Sequence, residues 1–246
     1  RGDETALRME RLKKLHDISG QVDEIQPACL QFTGGEPTVH PQFMEALIEA
    51  HKRDFAQIQI ATNGLKFAKN PDFAQQASDA GLNIAYLQFD GLSDDIYEKT
   101  RGRALLETKL KAIDNMSSAG IRTVLVPTIV KGINDHQVGD IAKFAIENTE
   151  KISGISWQPV AFTGRIDYKK RLAQRFTLAD LTRAIQDQSG YADMYRDWYP
   201  FGFVDPFSRL LEETNGPGQT KLGCSPTCGV ATYMVVDPQT REVTPL

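Results

Sequence analysis

Short apolar runs and amphipathic helical stretches take turns along this chain, and that alternation limits the fold more than any other feature. Residues 5–18 read as a helix, with Leu12, Leu15 and Ile18 on one face. Residues 28–33 form an apolar run that breaks at Gly34-Gly35, a strand ending in a loop. Pro41 opens a helix continuing through Met44, Leu47 and Ile48. The pattern then repeats. Strands are predicted at 57–62, 84–89, 121–130 and 155–160, stopping at Asn63-Gly64, Asp90-Gly91, Gly132 and the segment after Val160. Helices are predicted at 71–80, 104–119, 137–148 and 177–188, with Gly81 and Gly120 as stops, Asn134-Asp135 as a helix cap and Thr177 as another.

Five strands alternating with helices are βα units, and such units build a parallel sheet. Right-handed crossovers allow an open doubly wound sheet or a barrel. The chain lacks the GxGxxG turn of a dinucleotide fold, which disfavours the open sheet. The helix before the first visible strand calls for another strand upstream of Arg1. The expectation is a partial (β/α)6 TIM-like barrel of about six units with parallel strands. After Gln188 the texture changes to an aromatic-rich stretch (Tyr191, Tyr195, Trp198, Tyr199, Phe201, Phe203, Phe207), a glycine-rich loop and a short strand at 233–237. Residues 1–189 are therefore expected to form the barrel. Residues 190–246 are expected to be a small C-terminal extension against its mouth, with the aromatics as core.

Bulk properties exclude several classes. Hydrophobic residues make up 41%, too many for a disordered chain. A net charge of -4 argues against nucleic-acid binding. The short basic cluster Lys169, Lys170, Arg171 reads as a solvated helix start. No apolar run is long enough for a transmembrane segment. Three cysteines are too few for a disulfide framework, so a reducing, cytoplasmic setting is expected.

Sites in parallel α/β architectures form at the C-terminal ends of strands. That rule selects Gly34-Gly35-Glu36-Pro37 first. Two glycines let a ligand approach the main chain, Glu36 adds an acceptor for a cationic group, and Pro37 fixes the turn. The arrangement suits an ammonium group held by carbonyls and a carboxylate. By itself it is also an ordinary tight turn before a helix.

The sequence Phe32 to Pro37 resembles the Gly-Gly-Glu-Pro motif closing the second strand of radical S-adenosylmethionine (radical SAM) enzymes. Thr62-Asn63-Gly64 resembles that family's third-strand motif. Gln88-Phe89-Asp90-Gly91 resembles its fourth-strand motif, with Gln88 where Ser is usual. Tyr97 to Gly102 is similar to the segment that follows. Val130 to Asn134 is similar to a fifth-strand motif of molybdenum-cofactor-biosynthesis-like members, and Gln158-Pro159 to the sixth-strand end. The resemblance implies S-adenosylmethionine as cofactor. Gly34, Gly35, Glu36 and Pro37 would hold its amino group, Asn63, Gln88 and Asp90 would line the ribose or carboxylate side, and Thr128, Val130 and Gln158 would flank adenine. It also implies a [4Fe–4S] cluster on a Cys-x-x-x-Cys-x-x-Cys loop. That motif is absent from these residues and is expected upstream of Arg1.

Cys29, inside a strand, reads as a buried core residue. Cys224 and Cys228 stand three residues apart in a loop and could share a metal, form a redox pair or remain free thiols. With the hairpin ending at Pro245 they resemble an auxiliary [4Fe–4S] module. The four histidines show no ligand spacing, and Arg165 is either an anion contact or a surface residue.

The activity implied is reductive cleavage of S-adenosylmethionine to a 5′-deoxyadenosyl radical that takes hydrogen from a substrate. That substrate would be a small molecule, lipid or peptide. An electron donor such as flavodoxin or ferredoxin is implied as partner. Two rivals stand beside it. One is a non-catalytic barrel that only binds. The other is a TIM-barrel lyase using a strand-end lysine, for which Lys131 is the candidate.

Overall fold

The computed structural model describes residues 29–53, 55, 57–162, 167–200, 210, 213–214 and 229–245. The helix expected at 5–18, Arg165, Cys224, Cys228 and the aromatics Phe201, Phe203 and Phe207 lie outside them.

Five parallel strands form the central sheet. They are β1 (Cys29–Phe32), β2 (Gln57–Thr62), β3 (Ile84–Gln88), β4 (Arg122–Val126) and, after a two-residue β5 (Thr128–Ile129), β6 (Ile152–Ile155). Their order is β1-β2-β3-β4-β6, each strand beside its predecessor. A doubly wound sheet reverses its order at a switch point. This one does not, so the winding is that of a barrel wall.

The registers explain why one face is wet and the other dry. Gln31 pairs with Gln59, Ala61 with Tyr86 and Gln88 with Val126. Successive side chains alternate between faces. One face therefore collects Gln31, Gln59, Tyr86 and Gln88. The other carries Ile58, Ile60, Ala85, Leu87 and Leu125, all buried in the main hydrophobic cluster.

Helices cover the dry face: α1 (Phe43–His51), α2 (Leu65–Lys69), α3 (Pro71–Asp79), α4 (Asp94–Arg101), α5 (Leu106–Ser118) and α6 (Val138–Glu147). In α5 the buried positions are Lys109, Ala112, Ile113 and Met116, the i, i+3, i+4, i+7 stripe of an amphipathic helix. Asn70 caps α3, its side chain accepting from the Phe73 N–H, with Pro71 at the first turn.

The expected strand at 121–130 is broken into β4 and β5 by Pro127, which has no N–H to give the ladder. Its carbonyl still accepts from Gln158 N at 2.9 Å. The last strand starts earlier than the expected 155–160. β6 begins at Ile152 and the ladder resumes in β7 (Gln158–Pro159), which pairs with β5. Ser153 and Gly154 have low strand propensity and hid that start. Cys29 is exposed, not buried, at the first position of β1, which has one strand neighbour in the described sheet.

Beyond the sheet come α7 (Tyr168–Gln174) and α8 (Leu178–Ser189). Thr177 caps α8 as expected, in a reciprocal capping box with Asp180. A second small cluster joins Ile129, Val138, Phe176, Leu181 and Ile185, with Trp198 against it. Tyr195, expected in the core, is 84% exposed. The C-terminal residues form β8 (Tyr199–Pro200) with β9 (Val230–Ala231), and a hairpin of β10 (Met234–Val236) and β11 (Val243–Pro245). No helix among the described residues is long and apolar enough to cross a membrane.

Gly64 shows how tightly the end of β2 is packed. Its φ is +76°, and a Cβ there would lie 2.5 Å from Leu87 Cδ1 and 3.2 Å from Ala112 Cβ. Left-handed backbone strain and overpacking then add. Gly64→Ala is expected to lower unfolding stability by about 3 kcal/mol, measured by urea denaturation of the full-length protein. An unchanged midpoint would contradict this packing.

Candidate functional site

The C-terminal ends of β1, β2 and β3 lie side by side, and polar side chains join them. After β1, Thr33, Gly34 and Gly35 are exposed. Gly34 has φ +127°, and a Cβ on either glycine would meet nothing within 4 Å. Among the described residues, nothing covers the main chain here.

Glu36 closes this loop onto β2. Its Oε1 accepts from the Thr38 hydroxyl at 2.7 Å, from Thr38 N at 3.3 Å and from the Thr62 hydroxyl at 2.8 Å. Its Oε2 accepts from Asn63 N at 2.7 Å. The sequence suggested a free acceptor for a cation. The structure shows Oε1 saturated by the chain itself, while Oε2 keeps a second lone pair. Pro37 starts a short 3-10 turn, Pro37–Val39, for which Glu36 is the N-cap.

Asn63 Oδ1 accepts from Leu65 N at 2.9 Å. Its amide NH2 has no partner among the described residues, which leaves two donors at the strand end. Behind it, the Asn63 carbonyl accepts from Lys109 Nζ at 2.7 Å. Lys109 is fully buried. Desolvation pulls its ammonium down from 10.5 to about 8, against the favourable charges of Asp90 and Glu36. Sequence reasoning missed this residue. The signal was present: Lys109 occupies the apolar stripe of α5.

At the end of β3, Asp90 is fully buried and its Oδ2 accepts from Arg101 Nε at 2.6 Å. Its Oδ1 accepts from Thr128 N at 3.3 Å. Gln88, half-buried on the wet face, has its amide against the same Arg101 guanidinium, which offers only donors, so the amide oxygen belongs on that side. Tyr97, from the segment that leads to Arg101, is buried, and burial next to Asp90 holds its phenol well above its ordinary value. Asn134 was expected to cap a helix. Instead its buried amide donates to Asp90 O and Thr128 O, both at 2.8 Å, and its Oδ1 accepts from Val130 N at 2.8 Å. It sits at the N-cap position of a 3-10 turn without capping it.

Thr128 and Gln158 are register partners across β5 and β7. Gln158 is exposed, and Thr128 and Val130 are half-buried. All the candidate residues within the described chain thus lie along one edge of the parallel strands.

This edge, and the chain around it, matches a known family. The family model described as Radical SAM superfamily matches residues 3–145. The chain belongs to the radical SAM superfamily. It is 40% identical over 231 residues to the 7,8-dihydro-6-hydroxymethylpterin dimethyltransferase of Methanocaldococcus jannaschii, covering 93% of this chain and 44% of that protein. It is 25% identical over 214 residues to the GTP 3′,8-cyclase of Pseudomonas fluorescens, covering 82% of this chain and 64% of that one. The chain therefore spans about half to two thirds of the length of these relatives. A crystal structure of HydG, a maturase of the [FeFe]-hydrogenase, shares the fold with TM-score 0.54 and 14% identity, over 75% of this chain and 43% of that one.

Family membership brings S-adenosylmethionine and a [4Fe–4S] cluster as cofactors. The open main chain at Gly34-Gly35 and the unpartnered Asn63 amide fit the first. Among the described residues no three His, Cys, Asp or Glu side chains come together to hold a metal ion.

The buried ammonium of Lys109 has a thermodynamic signature. Its value in the fold lies below its unfolded 10.5, so the unfolded chain binds the proton more readily between about pH 8 and 10.5. Its contribution to stability is full above that window and is lost as pH falls through about 8. Wild-type protein should gain on the order of 3 kcal/mol relative to Lys109→Met between pH 7.5 and 10.5. Denaturant unfolding at the two pH values measures it; a pH-independent difference would refute it.

Proposed function

We propose that this chain is the S-adenosylmethionine-binding barrel of an enzyme that cleaves that cofactor reductively and turns the result on a small-molecule substrate. When bound, the cluster would supply an electron and the sulfonium a carbon–sulfur bond to break. The chain's own residues do the binding and positioning. Carbonyls at Gly34-Gly35, with the remaining lone pair of Glu36 Oε2, would accept from the amino group. The Asn63 amide would donate to a carboxylate or ribose oxygen. Gln88 and Arg101, fixed by Asp90, form the neighbouring wall. Thr128, Val130 and Gln158 would border the adenine. Residues 1–189 would carry these groups and residues 190–246 the extension beside them, with Cys224 and Cys228 as candidate ligands of an auxiliary cluster.

The observation that carries this reading is the exposed glycine turn at the strand ends, beside two unspent amide donors. The 40%-identical relative is named for a pterin, which supports a small heterocycle as substrate and methyl transfer as the outcome. A flavodoxin or ferredoxin would deliver the electron. Lys109 does not favour a lyase: its Nζ is sealed from solvent and committed to a backbone carbonyl. Lys131 lies past β5, on the loop leading to α6.

A Cβ at Gly35 meets no atom of the described residues within 4 Å, so Gly35→Val should fold normally. It should block close approach to the main chain and weaken S-adenosylmethionine binding at least about tenfold, or about 1.4 kcal/mol. Calorimetric titration of anaerobically reconstituted full-length protein checks this, with 5′-deoxyadenosine formation under dithionite as the activity readout. Unchanged affinity in the variant, or no 5′-deoxyadenosine from wild type, would overturn the reading.

A further inference from the structure

A cavity of about 590 Å³ lies away from the glycine turn, between the end of β7 and helices α7 and α8. Pro159, the last residue of β7, with Val160 and Phe162 after it, forms one wall. Phe176, buried in the second hydrophobic cluster, anchors it to the core. The opposite wall is a single stripe of α7 and its continuation: Tyr168, Arg171, Leu172 and Arg175, at i, i+3, i+4 and i+7.

Three features of this stripe point to a ligand. Among the described residues, the cavity is lined by two guanidiniums and no carboxylate. Among the described residues neither Arg171 nor Arg175 forms an ion pair, and the Arg171 guanidinium lies 5.2 Å from the Tyr168 ring centroid. Apolar side chains usually left inside are here in the open: Tyr168 is 62% exposed, Leu172 51% and Leu178 41%. Such a cluster marks a binding surface rather than scattered surface residues. The position adds weight, since residues just past a strand's C-terminal end sit on the same edge as the glycine turn.

We propose that this cavity is a subsite for the substrate, taking a planar ring that bears an oxyanion, either a carboxylate or a phosphate. The ring would pack against Phe162, Tyr168 and Leu172, and the oxyanion would be held by Arg171 and Arg175. Guanidinium forks suit oxyanions bidentately, and an arginine already laid on an aromatic face extends a stacking surface. The inference rests on the proposed function in assigning the occupant as substrate.

Three probes separate the possibilities on the reconstituted full-length protein: 6-carboxypterin, guanosine 5′-monophosphate and uncharged 6-hydroxymethylpterin. Fluorescence or calorimetric titration should show at least one anion binding more tightly than the neutral pterin, the arm that binds distinguishing carboxylate from phosphate. Arg171→Met and Arg175→Met keep the apolar stems of exposed residues and should each weaken that anion about tenfold. S-Adenosylmethionine affinity, titrated in parallel, should not change. Failure of both anions to bind, or equal affinity in the arginine variants, overturns the subsite. Loss of S-adenosylmethionine binding in wild type, with the anion still bound, would instead remove the cofactor reading and leave the cavity as a site.

Discussion

Parallel strands end in backbone groups that no neighbouring strand satisfies, and unpaired buried polar groups are costly. The site of this chain is built from the answer to that problem. Glu36 spans the ends of β1 and β2, Lys109 reaches from α5 to the Asn63 carbonyl, and Asn134 stitches the end of β3 to β5. Each brace holds a turn rigid without covering it. The exposed glycines, the Asn63 amide and Gln158 remain on the open edge because other side chains carry the structural work behind them.

That division explains the cost accepted at Lys109. A buried ammonium is expensive, and its depressed value records the desolvation. An apolar residue would fill the same space but leave the Asn63 carbonyl unpaired beneath a turn where Gly64 is already wedged against Leu87 and Ala112. The lysine also places a positive charge near Asp90 and Glu36, two carboxylates brought close by the barrel edge. The Asp90–Arg101 pair follows the same logic with one partner outside. Asp90 is sealed and Arg101 partly exposed, so the guanidinium can neutralise a buried carboxylate while turning its outer edge toward the wet face.

Much of this was legible in the sequence because period and punctuation agree. β2 was readable to the residue, since an alternating run stops at Asn63-Gly64, and the glycine turn was readable because two glycines follow an apolar strand directly. The braces were not. Glu36 looks like a ligand group in one dimension, and only the register of β1 against β2 shows that Thr62 and Asn63 reach it first. Asn134 has the residue type of a cap, and its distant partners Asp90 and Thr128 draw it inward. Lys109 was hidden by the habit of reading lysine as surface. β6 was misplaced because Ser153 and Gly154 carry no strand signal, and Cys29 because β1 has one strand neighbour among the described residues, which leaves its first side chain uncovered by them.

The two halves of the described edge differ in a way that bears on how cofactor and substrate would share it. Around β1 to β3 the side chains are mutually satisfied and the ligand-facing groups are mainly backbone and amide, which suits one invariant cofactor met in one orientation. Around β7 and α7 the pattern is reversed: exposed apolar side chains and two cations with no ion pair among the described residues, on a short helix and just past its end. Long side chains on a local element can change with little consequence for the sheet, whereas Glu36, Asp90 or Lys109 cannot. Specificity for a substrate would therefore be carried where the fold is least constrained, and cofactor binding where the strand ends leave no freedom.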